Sequence, residues 1–389
     1  MIDDVFVIDA VVHAYNQTPE NFADPAGAGA ISELAYAMGV GNPDPRYDLP
    51  REVYLSNWQV PDLANLLFRE SETDVAVFHP LAISAFKDGY VSVEKAAQAL
   101  QDHPNRFIGS YACVDPLTGR EALRALEHQV DVLKPFGLKL YPTSWDGGKA
   151  VSWRMDDPKL IYPLYEKAAE LGLKHVAVHK AVPIGPIAVG DAYNPSDLEN
   201  AATAFPDLNF EIVHGGLAFV EETAWLLARF GNISINMEIQ NIIVERRPRA
   251  FANILLGLCH VAGGSVLDRM FWGSGGTLIH PQPGLRAFMD FEFPQDLLDA
   301  AGMFIPVQQI TMENKRNMLG GTFARLHGID IGRCKQAIAG DEFSRAEGEQ
   351  LPEPYSTISL ANEVDAWRQS DQWTGAQRPV PSTAERAGA

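Results

Sequence analysis

Histidine placement is the strongest chemical signal in this chain. Of its ten histidines, His13, His79, His179 and His214 each close a short apolar run, and His280 follows soon after another. The first run reads Val-Phe-Val-Ile-Asp-Ala-Val-Val-His, ending on His13. Imidazole is the commonest neutral metal ligand, and several converging on one rim are what a zinc or manganese site needs. Any one of these histidines alone reads as an ordinary hydrogen-bonded side chain. Their shared position at run ends is what points to a site. His103, His128, His260 and His327 fall on predicted helices or their ends, and His175 opens its run, so it lies opposite His179.

Two other ionisable residues sit in the same kind of place. Lys139, in Gly-Leu-Lys-Leu-Tyr, lies inside an apolar run. Its amine must pair with a carboxylate, titrate down or face a wet cavity. It could anchor a substrate carboxylate, act as an acid, or serve only in a structural ion pair. Glu238 ends Asn-Met-Glu and could be a base, a metal ligand or a strand-end charge.

The runs that carry these residues are short and β-branched, as strands buried on both faces of a parallel sheet are. Strands are predicted at 5–13, 73–80, 107–114, 137–141, 175–179, 209–214, 233–239 and 269–274. Alternation along the first would place Asp9, Val11 and His13 on one face. Helices are predicted between them at 63–69, 91–100, 121–133, 159–171, 195–204, 220–230 and 249–261, and beyond them at 294–301 and 307–326. Eight βα units predict a (β/α)8 TIM barrel, with chemistry at the C-terminal strand ends. A doubly wound sheet has the same element order, but no Gly-rich fingerprint follows the first strand.

Residues 1–339 are read as the barrel, interrupted at 14–60 by a long segment holding a short helix at 31–38. Beginning one residue after His13, that segment is expected to fold over the mouth as a lid. Tyr15, Tyr36, Trp58 and, on the fourth strand, Tyr141 are candidates to wall a substrate pocket. From about residue 340 the composition turns to Glu, Pro, Ser, Gln and Arg, yet Tyr355, Ile358, Leu360, Trp367 and Trp373 are too apolar for a free linker. The extension at 340–389 is therefore expected to dock on its own barrel or on a partner, with a homodimer as the expected assembly.

A net charge of −19 and a pI near 4.9 argue against nucleic acid or an anionic membrane as partners. Cys113, Cys259 and Cys334 are widely spaced with no CxxC, so they read as thiols in a reducing compartment. The start Met-Ile-Asp-Asp lacks a signal-peptide pattern, and no apolar run approaches the ~20 residues that span a bilayer. A cytoplasmic protein is the expectation.

Over nearly all of residues 5–330 the chain resembles the amidohydrolase superfamily. The likeness falls within the amidohydrolase 2 group, which includes aminocarboxymuconate-semialdehyde decarboxylase-like enzymes. The resemblance rests on Ile8-Asp9 leading to His13, Cys113-Val-Asp-Pro116, Gly137-Leu-Lys139, Val176-Ala-Val-His179, Ile212-Val-His-Gly-Gly216 and Phe271-Trp-Gly-Ser274. The helix Asn317-Met-Leu-Gly-Gly-Thr-Phe-Ala-Arg-Leu-His-Gly328 adds to it, with Thr322 where Asn is usual. It implies one divalent metal ion, zinc or manganese, with His13 and His179 as ligands and His214 beside the metal-bound water and substrate. Two positions depart from the pattern. Val11 stands where a first His, or the Glu of some decarboxylases, belongs, and Gly275 where an Asp that is both ligand and base belongs. His79, His280 or Glu238 would have to complete the set.

The leading expectation is a metal-dependent hydrolase or non-oxidative decarboxylase acting on a small carboxylated substrate. His214 would be its acid/base or electrophile and Lys139 its substrate anchor. The rival is a barrel that has lost catalysis and serves as a binding, assembly or accessory protein.

Overall fold

The computed structural model describes residues 1–185, 191–346 and 348–370. Eight parallel strands follow one another around a barrel: Ile8–Val12, Val75–Phe78, Phe107–Cys113, Gly137–Leu140, His175–His179, Asn209–Val213, Ile233–Asn236 and Met270–Phe271. Two backbone bonds bring the last strand back to the first, from Ala10 N to Trp272 O (3.0 Å) and from Gly275 N to Val11 O (2.9 Å). The fold is the TIM barrel that the βα alternation implied.

Alternation divides the strand residues between two cores. Leu138, Val176, Val178, Phe210, Ile212 and Ile235 face outward into a cluster with Leu126, Leu164, Leu226 and Phe251 of the surrounding helices. Each such buried side chain contributes roughly 1.5–3 kcal/mol before ordering costs. Val77, Tyr111, Ala177, Val213 and Phe271 share a second cluster, contributed by five strands, which fills the barrel interior. His175 and His179 share their strand face with Ala177 and so turn inward, at opposite ends. In the first strand the register shifts between Asp9 and Val12, so the expected alternation of Asp9, Val11 and His13 is interrupted there.

Among the described residues, five helices were not visible in the sequence: Arg51–Tyr54, Gln240–Arg246, Pro281–Asp290, Ile331–Ile338 and Ala361–Arg368. Nor was the hairpin pairing Thr143–Asp146 with Lys149–Ser152. The seventh strand stops at Asn236 rather than at residue 239, because Ile239 turns with φ 71° to start the helix Gln240–Arg246. Pro281–Asp290 opens on Pro-Gln-Pro-Gly, which reads as a breaker. Proline is tolerated in the first turn, and Nδ1 of His280 accepts from Gln282 N as the cap.

The segment after His13 holds a longer helix than expected, Pro25–Gly39, capped by Asp24. It sits at the C-terminal rim. Tyr54 Oη donates to Ala35 O (2.8 Å) and to Leu278 O (2.9 Å), just beyond the eighth strand, and Arg246 donates to Met38 O and Val40 O. The extension, as far as it is described, lies on its own barrel. Glu70 accepts from Tyr355 N and Thr357 N, Asp62 accepts from Ser359 N, and Val364 is fully buried. Trp367 is half-buried, and Trp373 lies outside the described residues. Among the described residues no single helix is long and apolar enough to cross a membrane. The three cysteines are free thiols.

Candidate active site

Strand ends deliver the site. His13, His79, His179 and His214 all emerge at the C-terminal end of the barrel, and all are buried. His13 is held from two sides. Its Nδ1 donates to the backbone oxygen of His79 (2.8 Å) and its Nε2 faces Oε1 of Glu238 (3.1 Å). The backbone behind it is closely covered: a Cβ on Gly276, itself at φ 60°, would lie 2.5 Å from His13 N. Only glycine fits there.

His214 sits in a strained turn, with φ 70° followed by Gly215 at 61° and Gly216 at 73°. The turn aims its ring at two partners. Nδ1 lies 3.2 Å from the Glu238 carbonyl oxygen, and Nε2 lies 3.1 Å from Nδ1 of His179. The remaining nitrogen of His179, Nε2, bonds to Val182 O at 2.6 Å.

These contacts fix the tautomers. Carbonyl oxygens only accept, so the protons are on His214 Nδ1 and His179 Nε2. Burial pushes both rings toward the neutral form: His214 to about 4 against the opposing Glu238 carboxylate, and His179 well below its ordinary value with His214 and Lys139 adding to the effect. Two bare nitrogens therefore face each other across 3.1 Å. Such an arrangement repels unless a cation lies between them. Bonds of about 2.0–2.1 Å to a shared zinc-like ion would place two ligand atoms ~3.3 Å apart.

Charge is arranged to match. Burial alone would raise the Glu238 carboxyl, but the bond from His13 and the nearness of His214 and Lys139 hold it well below the usual carboxylate range. Lys139 is fully buried, and its Nζ makes no hydrogen bond. Its nearest aromatic face is Tyr141, 5.3 Å from the amine. Burial lowers the amine, with Glu238 the main opposing charge. Tyr141 also stacks on His179 at 4.4 Å, and the Tyr15 ring lies 5.2 Å from that of His13.

The structure thus brings together His13, His179, His214, Glu238, Lys139, Tyr15 and Tyr141. His79 lies next to them but is turned. Its Nε2 donates to Ala10 O (2.9 Å), its ring stacks on Tyr111, and its Nδ1 has no partner. His280 is not part of the group, contrary to expectation. Its Nε2 bonds to Glu70 (3.2 Å) and its Nδ1 caps a helix, so both nitrogens are used outside the barrel. Trp58 stands one layer back, its indole donating to Tyr54 O and its backbone to Tyr15 O.

Of three further neighbours, sequence reading placed Asp9 on the His13 face and missed the other two. Asn236 accepts from Glu238 N and leaves its own Nδ2 unpartnered. Asp9 accepts from Ser274 N (2.9 Å), and burial pushes its carboxyl up to about 7. Tyr193 presents its edge to His179 at 6.0 Å from an irregular segment with no periodic signal.

With this geometry, a match to the amidohydrolase family over residues 62–329 is decisive. The chain belongs to the amidohydrolase family. Solved structures agree in fold. A TIM-barrel protein from Bordetella bronchiseptica is 16% identical, covering 84% of this chain and 99% of its own, with a TM-score of 0.58. A 5-carboxyvanillate decarboxylase from Novosphingobium aromaticivorans, complexed with manganese and 4-hydroxy-3-methoxy-5-nitrobenzoic acid, is 12% identical over 84% and 96%, with a TM-score of 0.54. A dihydroxybenzoic acid decarboxylase from a Polaromonas species, with manganese and 2-nitroresorcinol, is 16% identical over 85% and 99%, with a TM-score of 0.51. Among curated proteins, no sequence matches the chain.

As an amidohydrolase, the chain rearranges one feature visibly. Position 275 is glycine at φ 79°, and a Cβ there would lie 3.2 Å from Oε1 of Glu238. A carboxylate therefore stands beside position 275, although the seventh strand carries it rather than the eighth.

Proposed function

We propose that this chain is a metal-dependent enzyme that removes carbon dioxide without oxidation, or hydrolyses a bond, in a small carboxylated substrate. The facing bare nitrogens of His179 and His214 carry this reading. Together with the ionised Glu238 and Nε2 of His13, which would release the proton it shares with Glu238 as an ion binds, they form a donor set of imidazoles and one carboxylate suited to zinc or manganese. A divalent ion held there would supply Lewis acidity toward a substrate oxygen.

The chain's own residues would do the rest. Lys139, a buried amine without a hydrogen-bond partner, would take the substrate carboxylate as its missing counter-charge. Tyr15 and Tyr141 would wall the pocket over His13 and His179, and Trp58 would back Tyr15. With its proton held on Nδ1 against the Glu238 carbonyl oxygen, His214 has one bare nitrogen, Nε2, which would serve either as ligand to the ion or as base toward the substrate, not as both at once. The segment at 14–60, seated at this rim, would exclude water as a lid.

The ligands of the similar barrels make hydroxylated benzoates the first panel to try. Carbon dioxide release from that panel should accompany tightly bound metal, and His179→Ala should lose both one metal equivalent and the activity. Wild-type protein with no metal at the rim would favour the rival, a barrel without catalysis. Full activity after metal removal would overturn the reading.

A further inference from the structure

At the opposite, N-terminal end of the barrel lies a second cluster that no part of the proposed chemistry uses. His175 opens the fifth strand, Glu211 is central in the sixth, and His327 ends the helix Thr322–His327. Among the described residues they form the group of His, Cys, Asp and Glu whose ligand atoms all lie within 4.8 Å of one another. Oε1 of Glu211 is 3.5 Å from Nδ1 of His175 and 3.5 Å from Nε2 of His327. Tyr111 Oη completes a fourth corner, 2.5 Å from Oε1 of Glu211 and 3.3 Å from Nε2 of His327.

We propose that His175, Glu211 and His327, with Tyr111 beside them, form a structural site for a divalent cation of the zinc class that locks the floor of the barrel. Three observations carry this. Charge-assisted bonds from an imidazolium to a carboxylate run at about 2.7–2.9 Å. Both imidazole contacts here are 3.5 Å, too long for that and close to the ~3.3 Å edge of a tetrahedral zinc site. Nδ1 of His175 and Oε2 of Glu211 are buried without a hydrogen-bond partner. An ion would use both. The Tyr111 hydroxyl, 3.3 Å from Nε2 of His327, adds an oxygen donor at the fourth corner.

The site has two imidazoles and one carboxylate, enclosed by Phe136, Phe323 and Tyr111, with ring centroids of Phe136 and Phe323 5.1 and 4.1 Å from His327. The side chains of His175, Glu211 and His327 are buried, which suits a structural rather than a catalytic role. The two imidazole rings lie 3.9 Å apart and tilted by 35°, and they must splay slightly as the ion enters. Because the ligands come from two strands and the closing helix, with Tyr111 of a third strand beside them, binding would tie together segments far apart in sequence and stabilise the fold.

The test separates this site from the rim. Full-length His13→Ala/His179→Ala protein, purified without chelator, should retain one equivalent of metal. After chelation, zinc chloride should raise its Tm and cobalt chloride should give the intense visible bands of tetrahedral cobalt. Adding Glu211→Gln or His327→Gln should abolish the retained equivalent and the cobalt bands. If those variants fail to fold, the rim double variant alone decides the matter. No retained metal and no zinc-dependent rise in Tm in that protein would overturn the proposal, whatever the rim site does.

Discussion

Oε1 of Glu238 stands 3.2 Å from the point where a side chain on Gly275 would begin. The two residues compete for one space, and in this chain the seventh strand fills it. Restoring an aspartate at 275 should therefore not rebuild a familiar site. It would strain a backbone at φ 79° and set two carboxylates side by side in a buried chamber. Gly275→Asp is expected to cost about 2–4 kcal/mol and to lower rim metal content. Gly275→Asp/Glu238→Gly should recover part of both. Chemical denaturation and metal quantification read the result, and a single variant as stable as wild type would contradict the competition.

Lys139 offers a second test because its stability and its use pull apart. An amine that is fully buried without a hydrogen bond is a cost to the fold. Lys139→Met keeps the volume and removes the charge. It should raise stability by on the order of 1–3 kcal/mol. The same change should reduce kcat/KM for a carboxylated substrate by about 100-fold or more. A variant that loses stability as well as activity would show that Lys139 is a structural partner, not an anchor.

The barrel and the rim histidines were legible because each depends on a local pattern. Short β-branched runs ending in histidine mark strands and mouth at once, as at 175–179 and 209–214. What could not be read was the reach of individual side chains. His280 follows its strand as closely as a ligand should, but the helix it caps turns it toward Glu70. The cover that Glu238 gives to position 275 joins the ends of two strands, and no spacing rule links them. The register shift after Asp9 is likewise set by pairing with the second strand, not by the first strand's own sequence. The cluster at His175, Glu211 and His327 needs two strands and a helix to assemble; sequence reading placed the two histidines at element ends and did not single out Glu211.

Asp9 carries a pH prediction. Burial raises its carboxyl from 3.8 to about 7, against the opposing bonds from Ser274 and Val11. The folded state therefore keeps a proton that the unfolded chain has released. This contribution to stability is fully present below pH ~4 and is lost as pH rises to about 7, at about 1.4 kcal/mol per unit. Asp9→Asn preserves an acceptor for Ser274 N and removes the titration. The difference in unfolding free energy between variant and wild type should grow in the variant's favour from pH 5 to 7 and then level off. A difference independent of pH would refute the assignment.

The last prediction concerns the extension. Glu70 is a buried carboxylate that accepts from Tyr355 N (2.5 Å), Thr357 N (2.7 Å), Thr357 Oγ1 (2.6 Å) and His280 Nε2 (3.2 Å). Burial would raise it, but His280 and Thr357 prevail and hold it below its ordinary value. Beside it Asp62 accepts from both N and Oγ of Ser359. These bonds clip residues 355–359 onto the helical stretch at 60–69, with Tyr355, Ile358 and Val364 packed beneath. Glu70→Ala strands two backbone N–H groups and should lower stability by about 2–4 kcal/mol. It should also expose the segment around 353–360 to limited proteolysis. Because the anchors belong to the same chain, the mass by light scattering should not change. A Glu70→Ala protein that falls to half its mass would show instead that the docked extension holds two copies together.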